Sequence, residues 1–275
     1  MTRIALFQAT TGIEPEANAR ALEDAIEQAA RDGSDILFTP EMSGMIDKDS
    51  GRAAPKRREE GDDIVLAAAR KAAKRNNIWI DVGSIGVLGQ DGKVANRAFV
   101  IDGQGEVRGR YDKIHLYDVD LPTGESWRES SVYSAGAGVA IVDATPVGKL
   151  GLTICYDLRF PGLFARLAEA GAEVISVPSA FTVPTGQAHW HILLRARAIE
   201  AGLFVVAAAQ VGHHEDGRRT YGHSLVVDPW GEVLLDMGND QGVGFAEIDL
   251  NRIVEVRSRI PALNHRRPIP EAVTT

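Results

Sequence analysis

Three expected strands in the chain each lead to a side chain able to do chemistry. Ile36-Leu-Phe-Thr-Pro40 leads to Glu41, residues 107–111 lead to Asp112 and Lys113, and Leu150-Gly-Leu-Thr-Ile154 leads to Cys155, then Tyr156 and Asp157. In sheets covered by helices, ligands collect at the carboxyl ends of strands. A carboxylate, an ammonium and a thiol at three such ends could share one pocket, where the thiol would be the nucleophile. Each alone has a plainer reading. A lone cysteine after an apolar strand is most often a small buried hydrophobe, a lysine at a strand end is usually solvated, and Glu41 could cap a following helix. The conjunction is what points to catalysis.

The histidines offer less. His189 and His191 lie two apart in an expected helix, so they face different sides and cannot chelate one metal together. His213 and His214 fall in a stretch rich in Gly and Asp and read as solvated. His115, two residues past Lys113, makes a Cys155–His115 dyad the competing nucleophile–base pair.

The elements that must position these groups follow from periodicity. Strands are expected at 3–8, 35–38, 78–83, 96–101, 106–111, 139–143, 149–154, 173–177, 203–209, 224–227 and 232–235. Helices are expected at 15–31, 62–76, 163–171 and 189–201. Asp102-Gly-Gln-Gly105 and Asp228-Pro-Trp-Gly231 read as hairpin turns. Strand–helix–strand units mixed with hairpins predict an α/β fold with a mixed sheet under helical cover. No linker or repeat divides the chain, so one domain over 1–275 is expected. Residues 48–60, with Lys56-Arg-Arg58, are expected to form a solvated loop, and the tail from about 265 is expected to be extended.

Composition narrows the function classes. The chain has 275 residues, a formal net charge of −8 and one cysteine. An acidic chain has no overall field for phosphate backbones or anionic membranes, so neither nucleic acid nor membrane is expected as a partner. No run approaches the roughly 20 apolar residues of a membrane span. One cysteine allows no intrachain disulfide, and the N-terminal apolar stretch is too short for a signal peptide. A cytoplasmic protein is the expectation.

Thr39-Pro-Glu41, Tyr111-Asp-Lys-Ile-His-Leu116 and Gly151-Leu-Thr-Ile-Cys-Tyr-Asp-Leu-Arg-Phe-Pro161 resemble, in order, the three signature segments of the nitrilase superfamily of carbon–nitrogen hydrolases. The resemblance runs from Ile4 to about Pro268. Pro178-Ser-Ala-Phe181, Leu194-Arg-Ala-Arg-Ala-Ile-Glu200, residues 221–231 and His265-Arg-Arg-Pro268 look like the branch that contains the deaminated glutathione amidases, with the ω-amidases as neighbours.

The resemblance implies a four-layer α-β-β-α sandwich and a Glu–Lys–Cys triad at Glu41, Lys113 and Cys155, with Glu129 as a second acid positioning Lys113. It implies a thiol amidase that needs no metal or organic cofactor and converts a primary amide of a small carboxylate-bearing substrate to acid plus ammonia through a thioester. Deaminated glutathione is the preferred substrate; 2-oxoglutaramate, N-carbamoyl amides and nitriles are alternatives, and a non-catalytic binding member is the rival from another class. In this reading Lys113 favours the Cys155 thiolate and, with the Tyr156 N–H, binds the oxyanion. Arg159 either grips a substrate carboxylate or pairs with Asp157 or Glu41. Ala180, Phe181 and Thr182 line the pocket, with Tyr117 and Arg128 as further candidates, while His189 and Trp190 are packing residues. A homodimer through helices near 163–171 and 192–201 is expected. Two departures bear on substrate preference: Ser84-Ile-Gly-Val lacks an acidic residue that many relatives carry, and the 48–60 stretch matches no family segment.

Overall fold

A computed structural model describes residues 1–89, 92–120, 124 and 126–272. The first half of the chain runs β1 (Thr2–Gln8), α1 (Pro15–Arg31), β2 (Ile36–Phe38), α2 (Ser50–Ala53), α3 (Ile64–Asn76), β3 (Trp79–Leu88), β4 (Val94–Ile101) and β5 (Val107–Asp112). Short strands β6 (Asp118–Asp120), β7 (Ser126–Arg128) and β8 (Tyr133–Ser134) follow. The second half comprises β9 (Ala140–Thr145), β10 (Gly148–Leu152), α4 (Pro161–Glu169), β11 (Val174–Ser176), α5 (Val183–Ala201) and β12 (Phe204–Ala207). It closes with β13 (Val211–His213), β14 (Arg219–Tyr221), β15 (Leu225–Val227), β16 (Val233–Asp236), β17 (Gly242–Ile248) and α6 (Asn251–Arg259).

Two sheets face each other. One has the order β17-β1-β2-β3-β4-β5 with β8 beside β4, and the other β16-β15-β12-β11-β10-β9. Strand alternation explains the layering, because side chains two apart share a face. Ile4, Leu6, Ile36, Phe38, Ala98 and Val100 point to the second sheet, where Leu150, Leu152, Val174 and Val206 meet them. Ala5, Leu37, Ile80, Val82, Phe99 and Ile101 point the other way and pack on Leu22, Ile26, Val65 and Ala69 of α1 and α3. Leu163, Phe164 and Leu167 of α4 and Trp190 and Leu194 of α5 extend the core on the far side of the second sheet. With both faces of each central strand buried, continuous apolar runs replace alternation. The result is the α-β-β-α sandwich.

The parallel pairs set the site. Phe38 is in register with Asp81 and Leu152 with Ser176, so the chain leaves β2 and β10 at neighbouring sheet ends. Glu41 and Cys155 each come three residues later.

Several expectations need correction. Residues 48–60 are not a plain solvated loop: α2 is capped by Asp49, which accepts from the Gly51 and Arg52 N–H groups, a 3₁₀ turn spans Ala54–Lys56, and Arg58 bridges Val87. α5 starts at Val183, six residues before the expected start. Pro184 and Gly186 read as breakers, yet proline is at home in a first helical turn, and a side chain at Gly186 would run into the Tyr221 ring. β17 and α6 were not expected. The Gly-rich stretch of β17 has little strand propensity of its own and is held by its full antiparallel register with β1.

Candidate active site

Glu41 is delivered by a braced turn. The Thr39 N–H donates to the Asp81 carbonyl (2.9 Å), the Met42 N–H to Ser84 Oγ (2.9 Å), and Gln210 Nε2 to the Glu41 carbonyl (3.0 Å). β3 passes so close that a side chain at Gly83 would strike the Thr39 and Pro40 carbonyls and the Pro178 ring. Lys113 directly follows β5, its N–H donating to the Asn96 carbonyl (3.0 Å).

Cys155 starts a 3₁₀ turn, Cys155–Arg159, with φ +48°. A non-glycine residue in this left-handed region is strained and needs surrounding structure to hold it. Asp157, fully buried, supplies much of that structure. Its carboxylate accepts the Ile154 N–H (2.9 Å), the Tyr111 hydroxyl (2.7 Å) and the His115 N–H (3.1 Å). The Cys155 N–H donates to the Pro178 carbonyl at 2.9 Å.

These segments converge on one ionic cluster. Lys113 Nζ donates to Glu41 Oε1 (2.9 Å) and to Glu129 Oε2 (2.9 Å) and Oε1 (3.1 Å). Asn96 Nδ2 reaches Glu41 Oε1 (3.0 Å) and Glu129 Oε1 (3.3 Å). The Ala180 N–H donates to Glu41 Oε2 (3.0 Å) and the Tyr117 N–H to Glu129 Oε2 (2.6 Å). The Cys155 thiol interacts with the Glu41 carboxylate.

The charges decide protonation. Burial pushes the Glu41 carboxyl up, but the Lys113 charge and hydrogen bonds from Cys155, Lys113 and Asn96 outweigh it and hold Glu41 below its ordinary value. Burial also works against charged Lys113, yet Glu129 and Glu41 keep its ammonium well above the ordinary lysine value. Cys155 goes the other way. Burial, reinforced by the Glu41 charge, raises its thiol well above the ordinary value despite Lys113. The direction is opposite to the depressed thiol expected from Lys113, because burial and the Glu41 charge outweigh the ammonium.

The cluster lies in the wall of a cavity of about 690 Å³, within the range of small-molecule sites. Glu41, Lys113, Glu129 and Cys155 line it, as do Tyr156, Arg159, Ala180, Phe181 and Thr182. Tyr117 and Arg128 line it too, but both guanidinium Nη2 contacts of Arg128 go to the Asp120 carboxylate at 2.8 Å. Arg159 makes neither suggested ion pair. Its guanidinium lies beside His189 Nδ1 (3.4 Å) and over the Tyr156 and Phe181 rings. Phe181 also packs on Trp190 at 4.8 Å.

The Cys155–His115 dyad does not form: His115 Nδ1 is paired with Asp157 at 2.6 Å and its ring stacks on Phe160. His189 and His191 do face apart, His191 meeting Asp236 at 3.0 Å. Among the described residues, His191, His223 and Asp236 form one cluster of metal-ligating types. None of the three lines the cavity, and both imidazoles are hydrogen-bonded to Asp236. The sequence reading missed Asn96, Ser84 and Gln210. Asn96 in a largely apolar strand was the one available signal, since a buried amide needs polar partners.

Comparison with known proteins agrees with this architecture. The profile of the family described as carbon–nitrogen hydrolase matches residues 3–258. The deaminated glutathione amidase of Yersinia enterocolitica is 38% identical over 273 residues, covering 98% of this chain and 94% of that protein. The crystal structure of the NitFhit protein of C. elegans superposes with a TM-score of 0.89 at 39% identity, over 97% of this chain; the chain spans 65% of that one. An amidase from Nesterenkonia sp. AN1, solved after Michael addition of acrylamide at its active-site cysteine, matches with a TM-score of 0.78 at 26% identity, covering 95% of this chain and 98% of that one. The chain belongs to the carbon–nitrogen hydrolase family.

Proposed function

We propose that the protein is a cysteine-dependent amidase that hydrolyses an amide of a small carboxylate-bearing substrate through a thioester acyl-enzyme, with Glu41, Lys113 and Cys155 as the catalytic residues. The observation that carries this reading is the Lys113 ammonium bridging Glu41 and Glu129 in the cavity wall that also holds the Cys155 thiol. Glu41 takes the thiol proton as sulfur attacks the amide carbonyl, so thiolate forms only when it is used. The Lys113 ammonium and the Tyr156 N–H hold the oxyanion, each such donor contributing about 3–4 kcal/mol. Glu41 returns the proton to the departing amine (ammonia where the amide is primary). It then deprotonates the water that cleaves the thioester. Glu129 is a positioning residue that keeps Lys113 charged and aimed.

Arg159, without a carboxylate partner among the described residues and beside the nucleophile, suits a substrate carboxylate. Deaminated glutathione is the preferred substrate, on similarity to the Yersinia enzyme. The same reading takes the chain as one catalytic domain, cytoplasmic and homodimeric. Ile192 and Ile199 on α5, 69% and 51% exposed, support a subunit contact there, which light scattering would test.

The deciding experiment measures hydrolysis of deaminated glutathione and 2-oxoglutaramate side by side, with Cys155→Ala as the blank. A higher kcat/KM for the first supports the proposed substrate, and a higher value for the second moves the protein to the ω-amidases. Full activity in Cys155→Ala would overturn the mechanism.

A further inference from the structure

Away from the catalytic cavity, the fold gathers three side chains of the types that bind transition metals. His191 stands on α5, His223 in the turn between β14 and β15, and Asp236 at the end of β16. His191 Nε2 faces Asp236 Oδ2 at 3.0 Å, and His223 Nδ1 faces Asp236 Oδ1 at 2.9 Å. The two imidazoles thus converge on the two oxygens of one carboxylate, and the three ligating atoms all lie within 4.8 Å of one another. None of these residues lines the catalytic cavity.

The surroundings hold each member in place. Asp236 Oδ1 also accepts the Gly238 N–H (2.9 Å), which fixes the carboxylate. His223 has φ +55° and follows Gly222 at φ +76°. A non-glycine residue in this left-handed region persists only where its neighbours impose it. Here the His223 N–H donates to the Gly238 carbonyl (2.7 Å), its carbonyl accepts Trp190 Nε1 (2.8 Å), and its ring stacks on Tyr221 at 4.4 Å. The His191 ring meets the His223 ring edge-on at 5.1 Å. Side-chain exposures of 34% for His191 and Asp236 and 20% for His223 leave the group reachable by an ion yet partly shielded from water.

We infer that His191, His223 and Asp236 form a binding site for a divalent transition ion of the zinc class, with three protein ligands and a fourth position left to water. Imidazole nitrogen and carboxylate oxygen bind zinc at about 2.0–2.2 Å, whereas Mg²⁺ and Ca²⁺ select oxygen ligands. Two ligand atoms on a tetrahedral ion with those bond lengths stand about 3.3 Å apart. Both imidazole–carboxylate separations are within a few tenths of an ångström of that spacing. The widest pair closes by no more than about 1.5 Å, a shift within reach of half-exposed side chains. On binding, each neutral ring presents a lone pair in place of an N–H and carries its proton on its other nitrogen.

The ion ties α5 to the β15–β16 hairpin and supplies no chemistry to the amide, so the site stands independently of the amidase reading. Its position still bears on the cavity. Trp190, next to His191 in α5, holds the His223 carbonyl through Nε1 while its ring packs at 4.8 Å on Phe181 of the cavity wall.

The test titrates Zn²⁺ by calorimetry into chelator-treated Cys155→Ala protein, which lacks the thiol that would compete for the ion. One equivalent per chain is expected to bind at micromolar concentration. His191→Gln and Asp236→Asn, each made in that background, should weaken binding by at least about a hundredfold, since even partners outside the ligand shell cost 10–100-fold. His189→Gln, on another face of the same helix, should leave it unchanged. Saturating Zn²⁺ should raise the thermal midpoint of the Cys155→Ala protein but not of the Asp236→Asn variant, whose own melting curve reports that it folds. Co²⁺ in place of Zn²⁺ should give the intense visible absorption of a four-coordinate ion. Absence of binding, equal affinity in the His191 and Asp236 variants, or the weak spectrum of six-coordinate Co²⁺ overturns the site.

Discussion

Lys113 Nζ and Glu41 Oε1 lie 2.9 Å apart, with side-chain exposures of only 2% and 6%. A buried pair of this kind adds little to stability over an apolar pair, but removing one partner leaves the other charge uncompensated. Here the lysine neutralises two carboxylates, so its loss strands both.

Lys113→Met is accordingly expected to destabilise the fold by about 3–5 kcal/mol, read as a lowered urea midpoint. It should also reduce kcat/KM by at least about a hundredfold through loss of the oxyanion donor. Retention of wild-type kcat/KM would remove Lys113 from the oxyanion site.

Glu41→Gln separates thiol acidity from catalysis. The Glu41 charge helps raise the Cys155 thiol, so removing it should make the thiol titrate at lower pH, followed by ultraviolet thiolate absorbance. Turnover should nevertheless fall by about 10²–10⁴-fold, because the general base is gone. A more acidic thiol with undiminished turnover would show that thiolate supply, not proton transfer, is what Glu41 controls.

The pH profile follows from the same group. Glu41 is held below its ordinary 4.5, so kcat/KM should stay level down to about that pH and fall only beneath it. The linked stability has the same sign: a depressed carboxyl contributes above its unfolded value and loses that contribution as pH falls through the folded one. An acid limb centred near neutrality would assign the base role to another residue.

Asp81 predicts the opposite linkage. Burial between the sheets pushes its carboxyl from 3.8 up to about 7, only partly offset by the Ser176 hydroxyl. A raised acid makes the folded state bind more protons than the unfolded one, so this group's contribution is lost as pH rises from about 4 to 7. Asp81→Asn should therefore raise the thermal midpoint at pH 8 more than at pH 5. Equal shifts at the two pH values would mean the carboxyl is not neutral at the lower one.

Asp157 is expected to act on the nucleophile through the backbone. Asp157→Ala removes the acceptor for Ile154, Tyr111 and His115 together and should cost about 3 kcal/mol or more. Tyr111→Phe removes one of those bonds and should cost about 1–2 kcal/mol with KM nearly unchanged. If both variants keep wild-type kcat, the left-handed conformation at Cys155 does not depend on this brace.

Helix α1 and the strands leading to Glu41, Lys113 and Cys155 were legible because their signals are local: apolar period, a starting proline and short runs between turn residues. β17 and α5's first turns were not. One is strand only because β1 offers it a partner, and the other is helix because Thr182 and Pro184 open it rather than end a strand. The 48–60 segment is mostly exposed, as expected, but its caps and ion pairs order it into turns that its charges alone did not signal.

The residue types and their order along the chain determined which chemistry was available: a thiol, an ammonium and a carboxylate, each just past an expected strand. Tertiary structure alone decided their protonation. The distances from Lys113 to Glu41 and Glu129, and the burial of Cys155, come from sheet register between segments tens of residues apart, and electrostatic energies depend on separation and solvent access.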